Sequence, residues 1–177
     1  MEMIPVPIAG RALYFSRYEV TQAQWQKLMG FNPSRHQGRD LPVTNVSLDD
    51  IREFLNRLNA AERDRPVTYR LPSIEEWKAA ASIGFNRDAQ SWHSGNSLGK
   101  PQPVGGKSPN GFGLHDMTGN VWEWCADGFV CGGAYDSSPD DATPETVHPA
   151  PGRRPLPSNS RIDNVGFRVV ASFTEKR

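Results

Sequence analysis

Three stretches of the chain carry apolar residues at helical spacing directly after a helix-capping signal. Thr21 with Gln24, and Ser73 with Glu76, match the capping-box pattern, while Ser47 precedes two aspartates that favour the positive end of a helix. We therefore predict helices that begin after Thr21, Ser47 and Ser73. The second helix has the clearest apolar stripe, which consists of Ile51, Phe54, Leu55 and Leu58.

Short apolar segments predict strands between these helices. Residues 4–8 and 12–15 alternate, and the prolines of the first favour an edge strand, while residues 67–71 form a third candidate. Residues 31–42 and 83–108 lack periodicity and predict loops. The pattern as a whole predicts an α+β fold with extensive loops.

The size and charge of the chain narrow the classes of partner. A chain of 177 residues fits one domain, residues 1–177, and buries about 70% of the surface that its unfolded form exposes. Twenty basic and twenty acidic residues give no net charge, so we expect no nucleic-acid partner. No apolar run reaches the ~18 residues of a membrane span, and the N-terminus lacks the features of a signal peptide. We expect no membrane insertion.

The two cysteines, Cys125 and Cys131, lie close together in sequence. A bridge between them is one possibility, and two buried or partly exposed thiols are the other, which we favour. No second Cys/His pair lies nearby at the spacing of zinc ligands.

Residues 109–124 are the least ordinary part of the chain. Glycines interrupt a series of apolar residues that we predict to be core anchors: Phe112, Leu114, Met117, Val121, Trp122 and Trp124. Glu123 lies between two tryptophans, so we expect its carboxylate to be buried and to need a partner. That partner is either a hard cation of the calcium type, shared with Asp116, or an arginine such as Arg168.

The sequence of residues 111–124, GFGLHDMTGNVWEW, resembles the signature of the formylglycine-generating enzyme, or sulfatase-modifying factor, family. Further segments stand in the family's order: residues 18–25, 42–47, 69–80 and 164–168. The resemblance implies an elaborated C-type-lectin fold of the formylglycine-generating-enzyme type, an α+β fold with two main helices packed on short, twisted antiparallel strands and with extensive loops. It also implies a structural calcium site formed by the side chains of Asp116 and Glu123 and the carbonyls of Gly119 and Val121.

The family's catalytic chemistry is not expected here. Members that oxidise a substrate cysteine hold copper with two cysteines that follow a strand resembling residues 131–135, and no cysteine follows that strand in this chain. Other branches use iron bound by histidines and carboxylates, but the four histidines lack ligand spacing: His36, His93, His115 and His148. We expect no catalytic cofactor. A reduced metal-dependent oxidoreductase of the same family is the alternative.

The composition of the C-terminal part is biased. Residues 125–174 contain no Lys, Gln, Met or Trp and a single glutamate, Glu145. The other fifteen residue types are those that an AAC codon yields when its two adenines are replaced freely. This bias resembles the variable proteins of diversity-generating retroelements, in which surface positions of a lectin-like domain are rewritten. Chance absence of five residue types from a polar loop is the alternative.

Residues 135–163 are polar and proline-stiffened, so we expect an exposed recognition surface. The candidate ligand-binding residues are Tyr135, Asp136, Ser137, Asp140, His148, Arg153, Arg154, Ser158, Asn159, Arg161 and Asp163. For Arg153 and Arg154 the alternatives are solvated charges or internal partners of Asp140 and Asp141. The sequence predicts a non-catalytic protein that binds an unknown protein or small ligand, in the cytoplasm or on a phage. An accessory domain of a larger assembly is a third possibility.

Overall fold

The three predicted helices are present and begin at the predicted caps. The structure is a computed structural model that describes residues 1–150 and 152–173. Its helices are α1 (Gln22–Met29), α2 (Leu48–Ala61), α3 (Ile74–Ala81) and the short α4 (Arg87–Gln90), with a 3₁₀ turn at Pro139–Asp141. Capping boxes formed by Thr21, Ser47 and Ser73 begin α1, α2 and α3. In the described part of the chain, no helix has the length and apolarity to cross a bilayer.

Eight strands form two sheets of four. They are β1 (Met3–Ile8), β2 (Arg11–Ser16), β3 (Val67–Arg70), β4 (Trp122–Trp124), β5 (Val130–Cys131), β6 (Val147–His148), β7 (Val165–Gly166) and β8 (Val170–Phe173). The first sheet has the order β1-β2-β8-β3 and is antiparallel, which confirms the three predicted strands.

The second sheet contains two antiparallel strand pairs, as predicted, and one parallel pair. Its order is β6-β5-β4-β7, and β4 and β7 run parallel, with Trp122 opposite Val165 and Glu123 opposite Gly166. The long loop between β6 and β7 brings the chain back to the far side of β4 in the same direction, as parallel pairing requires. This sheet carries the surface described below.

The outer strands of the first sheet are protected against pairing with another chain. Pro5 and Pro7 alternate along β1, where they remove N–H donors without interrupting the pairing with β2. At the opposite edge, the Asn59 side chain covers β3: its amide donates to the Tyr69 carbonyl at 3.0 Å and accepts from the Tyr69 N–H at 2.8 Å. These edges are therefore poor sites for strand addition.

The core consists of two clusters on either side of the second sheet. In the first, α1 and α2 contribute Trp25 and Phe54, whose rings stack at 5.3 Å, and Phe167 packs against both. In the second, Trp77 of α3 packs with Phe15 and other residues of the first sheet. β4 and β5 lie between the clusters, so their two faces contact different parts of the core.

Candidate functional site

Five of the predicted ligand-binding residues meet in one surface groove. Tyr135, Asp136, Arg161 and Asp163 line a polar pocket together with Arg35. His148 lines an adjoining apolar pocket, and Ile162 and Asn164 belong to both pockets. We call this combined surface the groove; its residues are Arg35, Trp122, Val130, Tyr135, Asp136, His148, Arg161, Ile162, Asp163, Asn164 and Val165.

The polar end of the groove presents exposed carboxylates. Asp136 accepts two hydrogen bonds from the Asn164 side-chain amide, at 2.9 and 3.1 Å, and pairs with no cation among the described residues. Asp163 lies 3.6 Å from the guanidinium of Arg35, and both side chains are exposed. Tyr135 forms the floor with only 7% exposure, and burial raises the pKa of its phenol. The polar end can therefore accept hydrogen bonds from a cationic group.

The apolar end is built on Trp122. Its ring lies 6.1 Å from the His148 ring, beside Ile162, which is 36% exposed. Both Trp122 and Trp124 were predicted to be core anchors. Trp124 is fully buried, whereas Trp122 is half-buried at the groove, so the prediction is only partly right for Trp122. Trp122 is the first residue of β4, where the strand reaches the molecular surface.

Arg161 and Ser158 are tied to the start of α2. The Nε and Nη2 atoms of Arg161 each lie 2.7 Å from a carboxylate oxygen of Asp50, and the Ser158 hydroxyl donates to Asp49 at 3.0 Å. Asp50 also accepts from Ser47 in the capping box. Although Arg161 lines the groove, its guanidinium thus holds the loop between β6 and β7 against the first turn of α2.

Replacing Arg161 with glutamine should raise the pKa of the Asp50 carboxyl. The hydrogen bond from Arg161 is the main reason why that pKa is lowered to about 2, with further help from Ser47. A lowered pKa stabilises the fold above the unfolded value of about 3.9 and loses that effect as pH falls towards 2. A carbon-detected NMR titration of Asp50 should show a higher midpoint in the variant; an unchanged midpoint would argue against the contact.

The remaining predicted residues lie outside the groove. The Ser137 hydroxyl accepts from the Ala134 N–H, and Asp140 lies 3.4 Å from Arg87 rather than near Arg153 or Arg154. The side chains of three exposed residues form no hydrogen bond or ion pair with other described residues: Arg153, Arg154 and Asn159. Two polar groove residues were not predicted to bind a ligand: Arg35 lies in a loop without periodicity, and Asn164 stood out only as the first residue of the segment 164–168 that carries the family resemblance.

Glu123 is buried as predicted and pairs with Arg168. Nε of Arg168 lies 2.7 Å from Oε2 of Glu123, Nη2 lies 2.6 Å from Oε1, and Trp77 donates to Oε2 at 2.6 Å. The other donors of Arg168 bind the carbonyls of Ser16 and His115. Of the two partners considered for Glu123, the arginine is therefore the one in contact with it.

The predicted calcium ligands do not fit a calcium ion as they lie. Both Glu123 oxygens are engaged by Arg168, while Asp116 accepts from the Gly105 N–H at 2.6 Å and keeps one buried oxygen without a partner in the described part of the chain. Within residues 1–150 and 152–173, no group of three or more His, Cys, Asp or Glu residues is placed to hold a metal. Calcium bound by Asp116, Glu123 and the carbonyls of Gly119 and Val121 stays a prediction.

A further buried carboxylate, Glu19, was not predicted. It accepts hydrogen bonds from the Asn120 side chain at 2.8 Å and from the Val121 N–H at 3.3 Å. Burial, reinforced by the nearby charges of Asp116 and Glu123, raises the pKa of Glu19 well above its ordinary value. The sequence marked Glu19 only by its position within residues 18–25, one of the segments that carry the family resemblance.

The four histidines have different surroundings. The His36 ring meets Tyr135 edge-on at 6.1 Å, His93 contacts Asn96, and His148 lies beside Trp122. The ring of His115 contacts the Lys107 carbonyl. The fold therefore assembles no histidine cluster from the described residues.

Comparison with known proteins agrees with this architecture. The family model described as the Sulfatase-modifying factor enzyme 1-like domain matches residues 6–173. The Chaperone protein LppX of Paenibacillus barcinonensis is 31% identical over 63% of this chain and 61% of its own length. The Inactive C-alpha-formylglycine-generating enzyme 2 of Mus musculus is 28% identical over 86% of this chain and 56% of its own length. This chain thus spans less than two thirds of either relative.

Two solved structures share the fold. Treponema denticola variable protein 1 superposes with a TM-score of 0.80 at 22% identity, covering 90% of this chain and 84% of that chain. The Major Tropism Determinant P3c variant gives a TM-score of 0.60 at 12% identity, with coverages of 94% and 51%. These comparisons confirm the resemblances to both groups of proteins and the lectin-like α+β fold. Since the family model matches nearly the whole sequence, the chain belongs to the family of Sulfatase-modifying factor enzyme 1-like domains.

Proposed function

We propose that the protein is a non-catalytic binding protein whose recognition surface is the groove. The observation that carries the proposal is that Tyr135, Asp136, His148 and Asp163, four of the candidate residues of the segment 135–163, line one groove. Strands β4 and β7 and the two core clusters support that surface from below. A rigid base reduces the entropy lost on binding.

The chemistry of the groove favours a polypeptide ligand. The polar pocket has a volume of about 490 Å³ and contains the two exposed carboxylates, whereas the apolar pocket, at about 250 Å³, is smaller than the roughly 300–1,000 Å³ of typical small-molecule sites. The apolar pocket has room for a single apolar side chain beside Trp122. The carboxylates of Asp136 and Asp163 lie at the polar end and would attract a neighbouring lysine or arginine of the partner. We therefore propose a protein partner that presents an apolar residue next to a basic one.

Diversification of the groove is the second part of the proposal. Most groove residues belong to the biased segment 125–174, whereas Arg35 and Trp122 belong to the preceding scaffold. The side chains of Asp136, His148 and Asp163 are exposed and hold no part of the core, so substitution there would preserve the fold. A cytoplasmic or phage-associated location is part of the same proposal.

Sequencing the gene in independent isolates tests this diversification. We expect substitutions to concentrate at the codons of groove residues such as Asp136, His148 and Asp163, and to spare the anchors Ser158 and Arg161. The result expected of a retroelement is adenine-specific change. Substitutions spread evenly along residues 1–177, or their absence from the groove, would contradict it.

An oxygen-consumption assay after metal loading tests the alternative, a metal-dependent oxidoreductase. Purified protein loaded in turn with copper and iron should consume oxygen no faster than unloaded protein when a thiol reductant is present. Stoichiometric retention of either metal, together with oxygen uptake, would overturn the non-catalytic proposal. In that event alanine variants of His36 and His148, which lie at or beside the groove, would be the first to examine.

A further inference from the structure

Two thiols lie side by side on the face of the β4–β5 hairpin that points away from the groove. Sγ of Cys125 and Sγ of Cys131 are 3.5 Å apart, and both side chains are fully buried. Strand alternation explains the placement. Trp124 and Val130 pair across the hairpin and face the first core cluster, whereas Glu123 pairs with Cys131 on the opposite face.

The hairpin holds the sulfurs at this separation. The Cys125 N–H donates to the Phe129 carbonyl at 2.8 Å, which closes the hairpin, and both cysteines pack in the second core cluster with Trp77 and Leu114. A disulfide bond is about 2.05 Å long, so the sulfurs need to approach by about 1.5 Å. The groove uses neither thiol.

We propose that Cys125 and Cys131 are an oxidisable pair whose intramolecular disulfide staples the hairpin beneath the groove. Trp122 and Val130, which line the apolar end of the groove, lie on the strands that this bond would join. The disulfide would therefore restrain one wall of the groove. The proposal rests on the position of the two sulfurs and does not depend on the function proposed for the groove.

A small-molecule disulfide such as oxidised glutathione is a sufficient oxidant. The thiolate of one cysteine attacks the glutathione disulfide, forms a mixed disulfide and releases one glutathione thiolate. The second cysteine then attacks the protein sulfur of the mixed disulfide, forms the intramolecular bond and releases the second glutathione. The protein loses two protons and two electrons in total, and one oxidised glutathione becomes two reduced ones.

The folded protein should react slowly. The thiolate is the reactive form, and the hydrogen bond with Cys131, together with burial, raises the pKa of the Cys125 thiol well above its ordinary value. Both thiols are also inaccessible to an oxidant in solution. The equilibrium is therefore best reached during refolding, when both sulfurs are exposed.

Equilibration of the full chain in glutathione redox buffers, with and without denaturing urea, tests the proposal. After acid quenching and alkylation, mass spectrometry gives the disulfide fraction and hence the effective concentration of one thiol for the other. We expect this concentration to be at least about tenfold higher in the folded chain than in urea. An equal or lower value in the folded chain would overturn the proposal, as would exclusive formation of disulfides between chains.

Two controls sharpen the result. The variants Cys125→Ser and Cys131→Ser should yield only mixed disulfides with glutathione. A species lighter by two hydrogens should form only in the unsubstituted chain, which identifies it as the intramolecular disulfide. A second measurement, hydrogen exchange of the Trp124 and Val130 amides, should show slower exchange in the oxidised chain. Unchanged or faster exchange would show that the bond does not restrain the hairpin.

Discussion

Replacing Glu123 with alanine should lower the free energy of unfolding by about 3–5 kcal/mol. The substitution leaves the guanidinium of Arg168 fully buried without its charged partner, and it also leaves the Trp77 ring N–H without its acceptor. The penalty for an unpaired buried charge exceeds the net value of the intact pair, which is why removal of one partner is costly. Urea unfolding of the two proteins measures the difference.

Glu53→Ala is the matched control. Glu53 pairs with Arg57 at 2.7 Å on the surface of α2, with both side chains about half exposed. Its replacement should change the free energy of unfolding by less than about 1 kcal/mol. An equally small effect for Glu123→Ala would refute the central role of the buried pair.

A chelator separates the ion pair from the calcium prediction. If Arg168 is the partner of Glu123, unfolding of the unsubstituted protein should be the same with and without EDTA. A lower midpoint with EDTA, restored by added calcium, would instead establish the calcium site. Elemental analysis of the untreated protein gives an independent answer.

Replacing Gly119 with alanine should have the other large effect, a loss of more than about 3 kcal/mol. The backbone of Gly119 has a φ of +73°, and a Cβ there would overlap the main-chain carbonyl group of Trp92. The N–H of Asn120 donates to the Trp92 carbonyl at 2.9 Å, so the two segments cannot separate without losing that bond. Thermal and urea unfolding measure the loss, and a folded variant of normal stability would contradict this packing.

Gly113→Ala isolates the contribution of the clash. Gly113 also has a positive φ, +89°, but open space surrounds the position where a Cβ would lie. Its replacement should cost only the left-handed backbone penalty of about 1–2 kcal/mol. Because both glycines belong to the same segment, the difference between the two variants reports the close approach of Trp92 to Gly119.

Local signals in the sequence predicted the elements that depend on local physics. Three residues mark helix starts through capping boxes: Thr21, Ser47 and Ser73. In each box the side chain of the cap accepts from the backbone N–H three residues later, and the side chain of that later residue accepts from the backbone N–H of the cap, so both contacts lie within a single turn. The two tryptophans around Glu123 likewise indicated a buried carboxylate. Sequence reasoning recognised Arg168 as one of two possible partners, and choosing between them required the geometry of the fold.

Features that depend on long-range pairing were not predictable. β5, β6 and β7 have two residues each, too few for an alternating pattern, and the parallel pairing of β4 with β7 follows from the path of the whole loop. Arg35 enters the groove from a segment a hundred residues away from Tyr135. Arg161, a predicted ligand-binding residue, lines the groove, and its contact with Asp50 depends on the position of α2.

Selection from a randomised library tests most directly whether the groove is a recognition surface. Five groove residues would be randomised on the unchanged scaffold: Asp136, His148, Ile162, Asp163 and Asn164. Five exposed residues in and after α2 would be randomised in the control library: Asn56, Ala60, Ala61, Arg63 and Asp64. Both libraries would be displayed and selected against hen lysozyme as a defined protein probe.

We expect the groove library to yield folded lysozyme binders that lose binding when Trp122 is replaced by alanine, and the control library to yield few or none. Binders recovered equally from both libraries, or from neither, would contradict the assignment of the groove as the recognition surface.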